Sequence, residues 1–113
     1  MKGSTGMAYF IGKAASNKKA RDIKILNVKG ISEIADYFVI CSGTSTIQVK
    51  AIADEIEEKM AESGYVISHK EGYNSGKWIL LDYGSVIAHI FYEEDREFYD
   101  LERLWVDAEA ISI

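Results

Sequence analysis

Cysteine is almost missing from this chain. Cys41 stands alone, which rules out an internal disulfide framework. No signal-peptide pattern opens the sequence, so a reducing cytoplasm is the expected setting. No uninterrupted apolar run approaches the roughly 18 residues that a membrane span needs. The longest candidate, Trp78 to Phe91, is cut by Asp82, Gly84 and Ser85 and reads as two strands. Repeats, low-complexity stretches and internal linkers are also lacking, which leaves no place to divide the chain.

What is present suits one soluble domain. The 113 residues are 48% apolar and 27% charged, enough to build a core and too apolar for a disordered chain. The net charge of −5 is unevenly distributed. Residues 1–30 carry seven Lys or Arg against Asp22 alone, a balance of +6, and the remainder carries six basic against seventeen acidic residues, a balance of −11. Between Glu93 and Glu109 there are eight acids and two bases. Such a segment repels phosphate backbones and attracts basic protein surfaces, unless it is simply the solvated face of an acidic helix.

Hydrophobic spacing outlines the elements. Residues 1–6 have the small, flexible composition of a tail or an expression remnant, and residues 7–113 form the expected domain. Ala8, Ile11, Ala14 and Ala15 recur at helical spacing. Ile23 to Val28 reads as a β-branched strand, and Asp36 to Ser42 as a second strand without polar alternation, which predicts cover on both faces. Hydroxyls at Thr44, Ser45 and Thr46 precede an apolar stripe of Val49, Ile52, Ala53, Ile56 and Met60, with Gly64 placed to end the helix. Strands are expected at Tyr65 to His69, Trp78 to Asp82 and Val86 to Tyr92, the last two joined by a tight turn at Gly84. Phe98, Leu101, Leu104 and Trp105 mark a closing helix. The order α-β-β-α-β-β-β-α predicts a single-domain α/β sandwich with a mixed sheet of about five strands flanked by helices.

Chemistry-bearing patterns are few. Ser42, Gly43, Thr44 and Ser45 join a buried strand to a helix N-terminus, a geometry that can hold an anion. A phosphate-binding P-loop also needs a Lys-Ser/Thr pair after its second glycine, and a dinucleotide fingerprint needs three spaced glycines, and this chain has neither. Capping of the following helix is the plainer job for the loop. Cys41 lies inside an apolar strand, the reverse of the electropositive setting that a reactive thiolate needs. His69 and His89 fall on different strands and make no zinc-ligand spacing with one cysteine. Carboxylates such as Glu57, Glu58, Glu93, Glu94 and Asp95 sit on solvent faces, while Asp36 and Asp82 end apolar strands, where turn hydrogen bonds are the natural role. No catalytic residue, metal ligand or cofactor site is expected. Many amphipathic rings, among them Trp78, Tyr83, Tyr99 and Trp105, fit either core packing or a binding surface.

Several segments, read in order, resemble one family. Lys19 to Ile23 (KARDI), Asp36 to Ser45 (DYFVICSGTS), Gln48 to Asp54 (QVKAIAD), Glu71-Gly72, Trp78 to Gly84 (WILLDYG), Val86 to Phe91 (VIAHIF), Arg96 to Tyr99 (REFY) and Leu101 to Trp105 (LERLW) follow the pattern of the Iojap, or ribosomal silencing factor, family. Ala88 departs from it, standing where the family usually has a larger β-branched residue, and the stretch before Lys18 matches poorly. The resemblance implies a nucleotidyltransferase-like fold without that fold's catalytic carboxylates. It also implies a non-enzymatic protein that binds the large ribosomal subunit through its protein number fourteen, with subunit joining blocked and translation lowered. Homodimers when free belong to the same expectation, while the acid-rich stretch predicts little nucleic-acid contact and the lack of a long apolar run predicts no membrane association. Carried over by position, Trp78, Tyr83 and Ile90 become the primary contacts, flanked by Glu93 to Glu97 (Glu93 and Glu94 foremost) and by Tyr99 to Glu102. Packing beneath the terminal helix is the competing role for Trp78 and Ile90. The alternative function is a nucleotide-binding or nucleotidyltransferase-like enzyme that uses the loop at residues 42–46.

Overall fold

The computed structural model describes residues 3–99 and 109–111. The first helix, α1, spans Gly3–Asn17 and buries Ala8, Ile11, Ala14 and Ala15, the stripe that helical spacing predicts. It begins four residues inside the expected tail. A hydrogen bond between the Thr5 and Tyr37 hydroxyls, 2.7 Å long, ties that first turn to the sheet. Composition alone carries no trace of such a tertiary tie.

Strand β1 (Arg21–Asn27) starts two residues before the expected Ile23, across an irregularity in pairing between Arg21 and Lys24 where Asp22 takes φ 49°. Strand β2 (Tyr37–Gly43) is buried at every position, as its lack of polar alternation predicts. Helix α2 (Thr46–Glu62) starts at Ser45, whose hydroxyl accepts the Gln48 N–H at 3.0 Å. Val49, Ile52, Ala53, Ile56 and Met60 all face the core, and Gly64 follows the helix with φ 86°.

Strands β4 (Trp78–Asp82) and β5 (Val86–Tyr92) match the expected hairpin. Its turn is closed by Asp82, whose Oδ1 accepts the Gly84 N–H at 2.7 Å, while Gly84 supplies φ 86°. The strand expected at Tyr65 to His69 lies instead at β3 (His69–Glu71), where every residue is exposed. Pairing with Leu80, Leu81 and Asp82 sets that position, and local propensity does not. Helix α3 (Glu93–Tyr99) begins earlier than the closing helix anticipated around Phe98, and its three leading acids suit the positive end of a helix dipole. Leu101, Leu104 and Trp105 fall outside the described residues. A sixth strand, β6 (Glu109–Ile111), completes the sheet against β1.

The sheet order is β3-β4-β5-β2-β1-β6, so the anticipated five strands gain a short edge strand. Only β2 and β5 run parallel and the other neighbours are antiparallel, which makes the sheet mixed. Side-chain alternation then divides the core in two. Ile25, Val39, Cys41, Ile79, Leu81, Ala88 and Ile90 join the apolar stripes of α1 and α2. Leu26, Phe38, Ile40, Ile87 and Phe91 form a second cluster on the opposite face, with Trp78 and Leu80 packed against it. Ala88, the departure noted above, is buried in the helix-covered layer.

Candidate functional site

Aromatic groups gather on the face away from α1 and α2. Antiparallel register sets Trp78 opposite Phe91 and Leu80 opposite His89, and parallel register sets Ile40 beside His89. The Trp78 indole stacks on Phe91 with centroids 4.9 Å apart and planes at 28°. Diagonally, its Nε1–H donates to His89 Nδ1 at 3.1 Å. Phe38 meets the imidazole edge-on at 4.9 Å and 73°. His89 is only 5% exposed, and burial brings its pKa down to about 4. At neutral pH it is therefore an uncharged ring with its proton on Nε2, an atom that is buried without a hydrogen-bond partner.

Trp78 and Leu80 are the partly exposed members of this group. With Glu71 and Gly72 they line an open depression of about 280 Å³. Gly72 is there for a steric reason. It takes φ 79°, and a Cβ on it would lie 2.0 Å from the Trp78 carbonyl oxygen, so only glycine lets the chain cross the start of β4 this closely. The outcome is a concave spot lined by the indole, Leu80 and Glu71, whose carboxylate pairs with His69.

Of the three anticipated primary contacts, Trp78 alone has this placement. Ile90 is fully buried in the layer beneath α1 and α2, so it offers no surface to a partner. Tyr83 is 8% exposed and belongs to that same layer. Burial, followed by the nearby Glu57 carboxylate, pushes its phenol up to about 12. It lines a separate depression of about 470 Å³ with Tyr65, Val66 and Ile67, on the other side of the sheet from Trp78. Glu93 and Glu94 are exposed at the start of α3, where Glu93 pairs with Arg21 at 3.2 Å. They share an end of the sheet with Trp78, because the Tyr92 N–H donates to the Lys77 carbonyl at 2.8 Å. Tyr99 is the last residue of α3, with its side chain outside the described part, and Glu102 lies outside the described residues altogether.

In the loop at Ser42 to Ser45 the three hydroxyls and the Thr44 N–H are engaged by the protein. Gln48 Oε1 accepts both the Thr44 N–H at 2.6 Å and the Thr44 hydroxyl at 3.0 Å. Ser45 caps α2, and the Ser42 hydroxyl accepts from Arg96 at 2.9 Å. Arg96 also donates to the Asp22 carbonyl at 2.8 Å and so clamps α3 to the irregular start of β1. These bonds cap α2 and clamp α3 to β1. Cys41 is buried, and burial, opposed by Arg96, pushes its thiol up to about 12, which leaves no thiolate for chemistry near neutral pH. Among the described residues no group of three or more His, Cys, Asp or Glu could hold a metal ion, and no helix is long and apolar enough to cross a membrane.

Sequence reasoning passed over Leu80, His89, Phe91 and Gly72 as members of one site. The signal was available in strand parity. Once Trp78 to Asp82 and Val86 to Tyr92 are taken as a hairpin, Trp78 and Leu80 share a face with His89 and Phe91, and Ile90 must point away.

A profile of the family described as "Ribosomal silencing factor during starvation" matches residues 2–113. The chain is 45% identical over 100 residues to the ribosomal silencing factor RsfS of Halalkalibacterium halodurans, an alignment covering 88% of this chain and 86% of that protein. It is also 45% identical over 95 residues to the RsfS of Bacillus subtilis, covering 84% of this chain and 80% of that one. A crystal structure of a Chromobacterium violaceum protein superposes with a TM-score of 0.90 at 31% identity, covering 92% of this chain and 87% of the other.

Proposed function

The chain belongs to the ribosomal silencing factor family, and from that premise we propose that it binds the large ribosomal subunit and lowers translation. In this reading the contact is with the subunit's protein number fourteen, and the bound domain occupies surface that the small subunit needs. The mechanism is steric. Its effect scales with occupancy, and no bond is made or broken.

The observation that carries the reading is the half-buried Trp78 beside Leu80, in a concave spot that Glu71 also lines and whose end of the sheet leads into Glu93 and Glu94. A large ring in a pocket is the usual form of an interface anchor, and surrounding acids steer a basic protein partner while adding little net affinity. The same acids disfavour direct contact with RNA phosphates, so a ribosomal protein is the better match. The site acts in the cytoplasm, and the free protein is a homodimer by the family resemblance.

Sedimentation tests this. The protein is expected to travel with purified large subunits and not with joined ribosomes, and its addition is expected to reduce subunit joining in proportion to the amount bound. Equal co-sedimentation with joined ribosomes would contradict a steric block.

A further inference from the structure

We propose that His89 is a positioning residue: its Nδ1 holds the Trp78 indole in one pose on the docking face, so that the anchor is ordered before the partner arrives. The inference rests on the reading above, in which Trp78 is that anchor.

Trp78 is the first residue of β4 and is partly exposed, a position where an indole would ordinarily sample several rotamers. Among the described residues, Phe91 and His89 restrict that freedom. Phe91 stacks against one face of the ring at 4.9 Å, and His89 Nδ1 takes the Nε1–H at 3.1 Å. Stacking alone allows the ring to slide or flip, whereas the hydrogen bond picks out one orientation. His89 can act as a fixed acceptor because it cannot move: it lies between Ile40 and Leu80 in register, with Phe38 edge-on at 4.9 Å and Phe91 stacked at 6.4 Å. Burial disfavours the charged ring, and in the neutral ring the indole donor selects the tautomer whose Nδ1 is free to accept.

Packing does not explain a histidine here. A leucine or phenylalanine would fill the same volume without leaving a buried donor unmatched, and His89 Nε2 is such an unmatched atom. Acceptance of the indole proton is what the imidazole adds. Ordering a large side chain in advance removes an entropic cost from association, and one such side chain corresponds to about fivefold in affinity.

Two measurements test the proposal. The first uses the unaltered protein in proton–nitrogen NMR. The Trp78 indole N–H is expected to exchange slowly with solvent, and His89 is expected to carry its proton on Nε2. Rapid exchange of that N–H, or a proton on Nδ1, would overturn the assignment whatever the binding data say. The second compares His89→Leu with His89→Asn in a Trp105→Phe background, where Trp78 is the sole indole. His89→Leu is expected to increase fast local motion in fluorescence anisotropy decay and to weaken large-subunit binding about fivefold. His89→Asn, which keeps an acceptor near the place of Nδ1, is expected to restore both. If folded His89→Leu changes neither while Trp78→Ala abolishes binding, the positioning role fails and the docking reading survives. If Trp78→Ala leaves binding intact, the docking reading fails as well.

Discussion

The two faces of the sheet are made by alternate residues of the same strands, yet they differ in chemistry and exposure. The face under α1 and α2 presents Ile79, Leu81, Val86, Ala88 and Ile90, aliphatic and fully or almost fully buried. The other face presents Phe38, His89, Phe91 and Trp78, with a polar hydrogen bond among its rings and a partly exposed edge. Helices cover the first layer because two apolar stripes have to be buried somewhere. The second layer keeps a polar atom inside and a large ring at the rim, features that packing alone would discard. Both parities of the strands contribute buried core, and the proposed function would add recognition to the aromatic one.

Ile90→Ala should break this contrast most severely. Cutting a fully buried isoleucine down to a methyl group costs about 3 kcal/mol in the transfer and cavity contributions, which chemical denaturation would measure. Affinity for large subunits per folded molecule should stay unchanged, since Ile90 makes no surface.

Acid should act on the aromatic face at a similar scale. The folded pKa of His89 is lowered from 6.5 to about 4, so the unfolded chain binds more protons between those values. Its contribution is complete above pH 6.5 and is lost as pH falls toward 4, a decline of about 3 kcal/mol. Denaturation curves collected across this window should show the decline in the natural protein and a flatter profile in His89→Leu. On the helix face Cys41 and Tyr83 are raised to about 12 and Tyr73 is raised as well, so none of the three takes part.

Gly72→Ala sharpens the comparison at the boundary. The added Cβ meets the Trp78 carbonyl at 2.0 Å and the backbone is at φ 79°, so stability should fall by about 2 kcal/mol and large-subunit binding should weaken together with it. Smallest of all is charge reversal at Glu93 and Glu94. Both are exposed and the Arg21 pair is open to solvent, so stability should barely move. Association measured by stopped flow should slow by less than about tenfold and change its salt dependence.

The layers of this fold were legible wherever local pattern and tertiary need agree. The stripe from Val49 to Met60, the Ser45 cap, the uniformly apolar β2 and the β4–β5 hairpin all satisfy both. Strand β3 was not legible at its true place, because His69, Lys70 and Glu71 are exposed and placed by tertiary contacts: pairing with β4 and the Lys70 bond to Glu57 of α2 at 2.7 Å. The first turn of α1 hides in a tail-like composition and depends on a distant Tyr37. Trp78, Tyr83 and Ile90 were all carried over from the family resemblance, and of the three only Trp78 lies partly exposed on the aromatic face. Nearness along a strand is a poor guide, since the next residue points the other way.

The direct test is affinity for purified large subunits, measured for Trp78→Ala and Tyr83→Ala beside the natural protein and corrected for the folded fraction. Loss of a central aromatic anchor should weaken Trp78→Ala by about thirtyfold or more, while Tyr83→Ala, altered on the opposite side of the sheet, should bind as before. Natural affinity in a folded Trp78→Ala, or a loss confined to Tyr83→Ala, would contradict recognition through the aromatic face.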